Sequence, residues 1–333
     1  MMDTFLVFLF VSFIINIVFL ILFKKYKFLI DKPLEQPHKI HKTMALRCGG
    51  IAIYLVFLSG FFVLESQYKY IFLISTLSFL AGFIEDLYKG ISPKIRFLVL
   101  FIIFVILISV KPDVLLADIG ILKFPYYLAI LITIIAVVGF TNSINITDGL
   151  NGLASGIVLN ALFFIGSLIY LNKDFEMLKF IAILSGATAG FFIINFFTGR
   201  IFLGDGGAYF LGMTLAIISL HLSNTYVNVS PWFFLILFAY PVTDTVFSIY
   251  RRYIKNKEMF HADFLHMHIL LNKRIFKNQI KASFLIIITS FIFSVIAWNF
   301  KSNTVWLVFI YLIYVFIYIF SYFRIIRRFN NKL

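Results

Sequence analysis

The sequence predicts an all-α, polytopic integral membrane protein with about eleven transmembrane helices, and three observations carry that prediction. Of 333 residues, 62% are hydrophobic and 13% charged, far from the balance of a soluble globular domain. The apolar residues fall into long runs parted by short polar segments, and a bilayer core about 30 Å thick needs roughly 20 such residues per helix. The Lys and Arg residues fall overwhelmingly into alternate segments between the runs.

In chain order the runs cover 4–23, 49–64, 70–84, 97–110, 125–140, 153–171, 178–196, 207–222, 231–250, 282–300 and 303–323. The first is read as a retained helix. Met1, Met2 and Asp3 supply no positive leader and no small-residue cleavage site follows. Alternating spans put 23 of the 29 Lys and Arg residues on one side, leaving Lys69, Lys111, Lys123, Lys173, Lys179 and Lys301 on the other. The positive-inside rule makes the first side cytoplasmic, with the N-terminus outside and the C-terminus in the cytoplasm. The whole chain, 1–333, is expected to form a single membrane-embedded domain with cytoplasmic loops at 24–48, 85–96, 141–152, 197–207 and 251–281. Repeats and low-complexity tracts are not visible. The lone Cys48 excludes an internal disulfide. The net charge of +14 is read as a topological and anion-binding signal, without the aromatic-basic pattern of a nucleic-acid binder.

Five segments on the cytoplasmic side carry residues suited to chemistry. In Gly139–Gly152, Asn142, Asn145, Asp148 and Asn151 recur every third residue, so on a helix they share one slowly turning stripe that can line a polar cavity. Capping and turning explain the Asn residues equally well, whereas a carboxylate such as Asp148 is costly at membrane depth and usually functional. Asn195–Gly207 delivers Asp205 between Gly204 and Gly206. Such glycines free backbone amides for phosphate oxygens while the acid offers Mg²⁺ a hard ligand, although a bare turn has the same residues. Gly82–Arg96 holds the adjacent acids Glu85 and Asp86, then Lys89, Lys94 and Arg96. Neighbouring carboxylates repel, so one wants a cation. The basic segments Asp31–Gly50, with His38, His41 and Arg47, and Arg251–His268, with His261, Asp263, His266 and His268, suit anion contact or a solvated surface beside anionic lipid. His266 and His268 stand two apart, poor spacing for a helical metal site.

Taken together and in order from Asp31 to Arg274, these segments resemble the polyprenyl-phosphate N-acetylhexosamine-1-phosphate transferase family. The likeness is strongest in Asn142–Leu153, Arg200–Ala208 and Pro241–Arg252 leading to His266–His268. The resemblance implies a ten- or eleven-helix enzyme of the bacterial cytoplasmic (inner) membrane, its active site facing the cytoplasm. It implies transfer of a sugar 1-phosphate from a UDP-sugar to undecaprenyl phosphate, with release of UMP, to initiate a lipid-linked cell-surface polysaccharide. Mg²⁺ is the implied cofactor, with Mn²⁺ as an alternative, and a homodimer is an allowed assembly. By the same resemblance Asp205 ligates the metal, and Glu85 and Asp86 sit at the lipid-phosphate and metal site. Asn145 and Asp148 shape the catalytic cleft, Asn151 and Phe202 hold the uracil, and His266 and His268 contact the diphosphate, while Asn142 is counted with the substrate-binding residues. Arg47 and Lys89 hold phosphate oxygens. The family's Asp-Asp pair is Glu85-Asp86 here and its His-x-His-His cluster ends in His268-Ile269, features that look like a branch used for surface polysaccharides.

A transporter or lipid-sugar flippase is the alternative, since intramembrane polar residues also mark transport routes. The acids cluster on one face and fall at predicted helix ends, which favours the enzyme. A subunit with a degenerate site is a third reading, opposed by the presence of Asp86, Asp148 and Asp205 together.

Overall fold

Within hydrocarbon each backbone polar group must find its partner inside the chain, so long apolar runs become helices. The computed structural model describes residues 2–31, 45–62, 66–88, 90–256 and 265–330, and helices overlie all eleven predicted runs. They are α1 (Met2–Lys25), α2 (Gly49–Ser59), α3 (Lys69–Tyr88), α4 (Pro93–Val110), α5 (Tyr126–Thr147), α6 (Leu153–Leu171), α7 (Phe175–Thr198), α8 (Gly204–Thr225), α9 (Pro231–Leu237), α10 (Ala239–Ile254), the short α11 (Met267–Leu270), α12 (Gln279–Asn299) and α13 (Thr304–Asn330). Among the described residues, eight helices are long and apolar enough to cross a membrane.

The expected single span 231–250 is broken. Its halves α9 and α10 meet at an angle of 82°. Pro241 explains the break: it lacks an N–H, and in a continuous helix its ring would strike the carbonyl of Leu237 four residues earlier. Several expected loops are also shorter than drawn. Glu85 and Asp86 lie in the last turn of α3, Asn142 and Asn145 in the last turns of α5, and the 251–281 segment contains the end of α10, α11, a π-helical turn over Leu271–Phe276 and the start of α12.

Burial grades across the bundle. α8 and α6 are the most enclosed spans, whereas α1 and α13 present most of their length outward, as lipid-facing helices do without penalty. α8 is the hub, packing against α2, α3 and α5. Its N-terminus therefore meets the C-terminal ends of α3 and α5 at one end of the bundle.

The loop before α2 completes that end. β1 (Ile30–Asp31) pairs antiparallel with β2 (Ala45–Leu46), and the chain from Leu46 to Gly50 runs beside 200–203. Leu46 N–H donates to Arg200 O at 3.0 Å, Phe202 N–H to Leu46 O at 2.8 Å, Gly49 N–H to Phe202 O at 2.9 Å and Gly50 N–H to Leu203 O at 3.0 Å.

Candidate active site

The acid cluster begins with a helix terminus that lacks partners. The first amides of α8 have no carbonyls behind them, and Asp86 of α3 supplies the missing acceptor: Asp205 N–H donates to its Oδ1 at 3.1 Å and Gly206 N–H to its Oδ2 at 2.9 Å. A carboxylate there is further favoured by the positive end of the helix dipole. Gly204 makes the approach possible. Its φ is +71°, and a Cβ at that position would lie 2.6 Å from Asp86 Oδ2.

Asp205, one residue into α8, is bracketed from two sides. Asn145 Nδ2 donates to Asp205 Oδ1 at 2.7 Å. Arg47 Nη1 lies 3.4 Å from Asp205 Oδ2 and 3.3 Å from Asp86 Oδ1, bridging the two acids. Glu85, the residue before Asp86 in the same turn of α3, forms an ion pair with Arg96 of α4, whose Nε also donates to Ile91 O at 2.9 Å.

Asp148 caps α5, its N–H donating to Asn145 O at 3.1 Å. Enclosure by protein pushes its carboxyl well above the usual range; a hydrogen bond from the Leu203 backbone opposes this and the Asp205 charge adds to it. The following loop is clamped by Asn195 of α7, whose Oδ1 accepts from Gly152 N–H and whose Nδ2 donates to Ile201 O, both at 2.5 Å. One amide thus joins the loop that carries Asp148 and Asn151 to the one that carries Phe202 and Asp205.

The histidines close the cleft. His266 and His268 stack at 5.5 Å between ring centroids, and a Cβ on Gly149 would come within 2.7 Å of His268 Nε2, so the ring sits against the Asp148 loop in space only glycine leaves. Burial pulls the His268 imidazole down to about 4, with Asp244 opposing; at neutral pH the ring is uncharged. Cys48, fully buried ahead of α2, has its thiol pushed up to about 12 by burial, which keeps it protonated.

Of the residues singled out in the sequence, the structure thus brings together Asp86, Asp205, Arg47 and Asn145 by direct contact, with Glu85, Asp148, His266 and His268 around them. Asn142 instead donates to Val138 O within its own helix at 2.8 Å. Asn151 lies against Gly199, and Phe202 is buried at 5% exposure. Lys89, His38, His41, His261 and Asp263, together with the side chain of Asp31, lie outside the described residues. Asn195 and Asp244 received no role of their own from the sequence, and Arg96, read there as one of three bases suited to a phosphate, pairs with Glu85. Arg96 and Asn195 stand in segments already singled out, but which acid Arg96 answers depends on how α3 and α4 pack.

The described donor set can be tested against a divalent cation. Glu85, Asp86, Asp148 and Asp205 gather four acids around Arg47 and Arg96, with burial holding Asp148 toward its protonated form. No group of three or more His, Cys, Asp or Glu side chains converges in ligating geometry among the described residues. Mg²⁺ is commonly held by one or two carboxylates with substrate phosphates and water completing its shell, and Asp205 with Asp86 fits that manner of binding.

The fold is thus a bundle of apolar helices that gathers acids, two arginines and two histidines at one end. The comparisons give its class: the model of glycosyl transferase family 4 matches residues 68–223, and the chain belongs to that family, the polyprenyl-phosphate N-acetylhexosamine-1-phosphate transferases. Over 290 residues it is 30% identical to the probable undecaprenyl-phosphate N-acetylglucosaminyl 1-phosphate transferase of Bacillus subtilis (strain 168), covering 84% of this chain and 79% of the relative. It is 29% identical over 244 residues to the phospho-N-acetylmuramoyl-pentapeptide-transferase of Streptococcus pneumoniae, covering 66% and 72% respectively. It is 42% identical over 96 residues, 29% of each chain, to the enzyme of that same name from Streptococcus agalactiae.

Proposed function

We propose that this protein transfers a sugar 1-phosphate, of N-acetylhexosamine type, from a UDP-sugar to undecaprenyl phosphate at the cytoplasmic face of a bacterial inner membrane, releasing UMP and starting a lipid-linked surface polysaccharide. The observation that carries the reading is the meeting of Asp86, Asp205, Arg47 and Asn145 at the N-terminus of α8. A lipid-phosphate oxygen forms a bond to the sugar-linked phosphorus, and the bond from that phosphorus to the bridging oxygen breaks, its electron pair leaving with UMP. Little proton transfer is needed, because a phosphate monoester is largely ionised near pH 7. Positioning and charge stabilisation therefore do most of the work.

Mg²⁺, when held by Asp205 with Asp86 beside it, supplies neutralisation of the diphosphate charge. Asn145 fixes the Asp205 carboxylate, and Asp86 anchors the α8 amides so that Asp205 keeps its place. Arg47, which bridges the two acids, is set to turn one guanidinium edge to a phosphate oxygen. His268 and His266 face the same cleft from the other side of the Asp148 loop. The Phe202 ring and Asn151 amide are assigned to the uracil. Support for a polyprenyl tail comes from an apolar groove of about 390 Å³ lined by Ile135, Phe140, Phe234, Val242, Val246 and Ile249. It passes Ser143, two residues before Asn145, and opens along the bend between α9 and α10.

The test is direct. Purified protein supplied with undecaprenyl phosphate, Mg²⁺ and a panel of UDP-sugars should release UMP with at least one of them and form the matching lipid diphosphate sugar. No UMP from any N-acetylhexosamine donor, with folded protein, would overturn the proposal.

A further inference from the structure

The transfer chemistry leaves one buried acid without a task. Asp244 lies in α10, 1% exposed, in a setting where an uncompensated carboxylate would be costly. It is fully occupied: His266 Nδ1–H donates to Oδ2 at 2.6 Å, Met267 N–H to Oδ1 at 2.9 Å and the Tyr318 hydroxyl to Oδ1 at 2.6 Å. Those donors come from the histidine segment and from α13, so one carboxylate joins α10, the last span and the segment that faces the cleft. Seven residues along α10, Arg251 repeats the pattern. Its Nη1 donates to Leu265 O at 2.9 Å and to the Tyr322 hydroxyl, with its guanidinium 5.5 Å from the Tyr322 ring centroid. Tyr318 and Tyr322 stand one helical turn apart on α13, where spacing by four puts both on one face.

Hydrogen accounting then sets both imidazoles. His266 spends Nδ1–H on Asp244, leaving Nε2 free of the clasp. His268 N–H donates to the Tyr240 hydroxyl oxygen at 3.1 Å, and the same hydroxyl lies 2.8 Å from His268 Nδ1. Nδ1 of the neutral ring accepts the phenol hydrogen, so the other nitrogen, Nε2, carries the proton and points at the Asp148 loop. A ring whose second nitrogen is held by a partner keeps its tautomer and its aim.

We infer that Asp244 is a positioning residue for His266 and that Tyr318 and Tyr322 make α13 part of the catalytic apparatus, clasping the histidine segment against the cleft. The match to the family model ends at residue 223; Asp244 and the two histidines stand in the later segments that resemble the family, whereas Tyr318 and Tyr322 lie past Arg274, where that likeness ends. The functional half of the inference rests on the transfer reaction proposed above; the clasp itself does not.

The experiment uses the full chain in lipid nanodiscs and reads two quantities: amide hydrogen exchange over 265–271, and steady-state transfer with each substrate varied. Tyr318→Phe removes one oxygen and Asp244→Ala the whole acceptor; Tyr311→Phe, which loses only a contact to the Thr243 hydroxyl at 3.3 Å, is the control. Tyr318→Phe and Asp244→Ala should speed exchange at Met267 and His268 and lower kcat by about 10- to 100-fold, with the KM for lipid phosphate unchanged. Asp244→Asn, which keeps an acceptor oxygen, should recover part of the loss, and Tyr311→Phe should match wild type in both. A general packing defect would not be rescued by Asn and would appear in the control. If Asp244→Ala fails to fold, Tyr318→Phe decides. Unchanged exchange in Tyr318→Phe overturns the clasp, and faster exchange with unchanged kcat overturns its catalytic role. A wild-type protein without transfer would sink the proposed reaction, while the exchange measurement still decides the clasp.

Discussion

Replacing Gly204 with Ala perturbs the acid cluster through a single methyl group. The residue holds φ at +71°, where an L side chain costs roughly 1–2 kcal/mol. The added Cβ would also stand 2.6 Å from Asp86 Oδ2, against ordinary contact from 3.4 Å. The carboxylate must therefore retreat by about 0.8 Å. Gly206 N–H now reaches Oδ2 at 2.9 Å, and that displacement takes it past the hydrogen-bond limit. A hydrogen bond to a charged group is worth roughly 1.5–3 kcal/mol. With one bond lost and the backbone strain added, destabilisation comes to about 2.5–5 kcal/mol. Because Asp205 hangs from the same amides, turnover should fall at least about 10²-fold. The comparison is Gly139→Ala, in the middle of α5, where an added Cβ meets nothing within 4 Å and helix propensity improves by about 1 kcal/mol. Thermal unfolding in detergent and UMP release are measured on both. Equal midpoints and equal turnover for the two variants would refute the account of Gly204 and of the Asp86 anchor.

Three further outcomes are expected. Asp205→Asn should lower turnover at limiting Mg²⁺ by at least about 10²-fold, because a charged ligand to the metal is lost; a folded variant with normal turnover would remove Asp205 from the metal site. Phe202→Ala should raise the KM for UDP-sugar by more than that for lipid phosphate, a stacked base being worth about 1–3 kcal/mol; equal changes in both constants would mark Phe202, buried as it is, as a packing residue. Single cysteines near Lys173 and Lys301, on a Cys48→Ser background, should react with an impermeant thiol reagent from outside, and those near Lys277 and Arg327 should not; the reverse pattern would invert the orientation.

Periodicity and charge made most of the helices legible, because an apolar run has no other way to satisfy its backbone in lipid. Of the stripe Asn142, Asn145, Asp148 and Asn151, the first two fall on α5, which ends at Thr147, so Asp148 caps the helix and Asn151 lies in the turn beyond it; Glu85 and Asp86 fall at a helix end. What escaped were features decided by contacts distant in sequence. The residues on both sides of Pro241 read as one apolar run, 231–250, which hides the 82° turn. Glu85 and Asp86 read as an acid pair wanting a cation, and each has an arginine, Arg96 and Arg47; what escaped is that Asp86 also anchors the α8 amides, 120 residues away. Asp244 and Tyr318 stand 74 positions apart, and nothing local marks either as the other's partner. The assigned roles of Asn151 and Phe202 toward a base came from resemblance alone, since local spacing shows only a turn and an apolar tetrad.

The four main-chain hydrogen bonds that lay 46–50 alongside 200–203 have a bearing on how this enzyme can change over generations. Amides and carbonyls are common to nearly every residue, so the alignment of Arg47 with Asp205 is indifferent to most side chains at Ala45, Leu46, Ile201 and Leu203 beyond their apolar fit. It is not indifferent to chain length. Inserting or deleting one residue between Leu46 and Gly49 would shift the pairing by a position and turn Arg47 away from the acids, as a one-residue slip does in any extended pair. Substitution is thus cheap at those four apolar positions, though not at Gly49 or Gly50, where a Cβ would run into the Phe191 ring and Gly207 Cα respectively, and a change of length anywhere in the strip is ruinous.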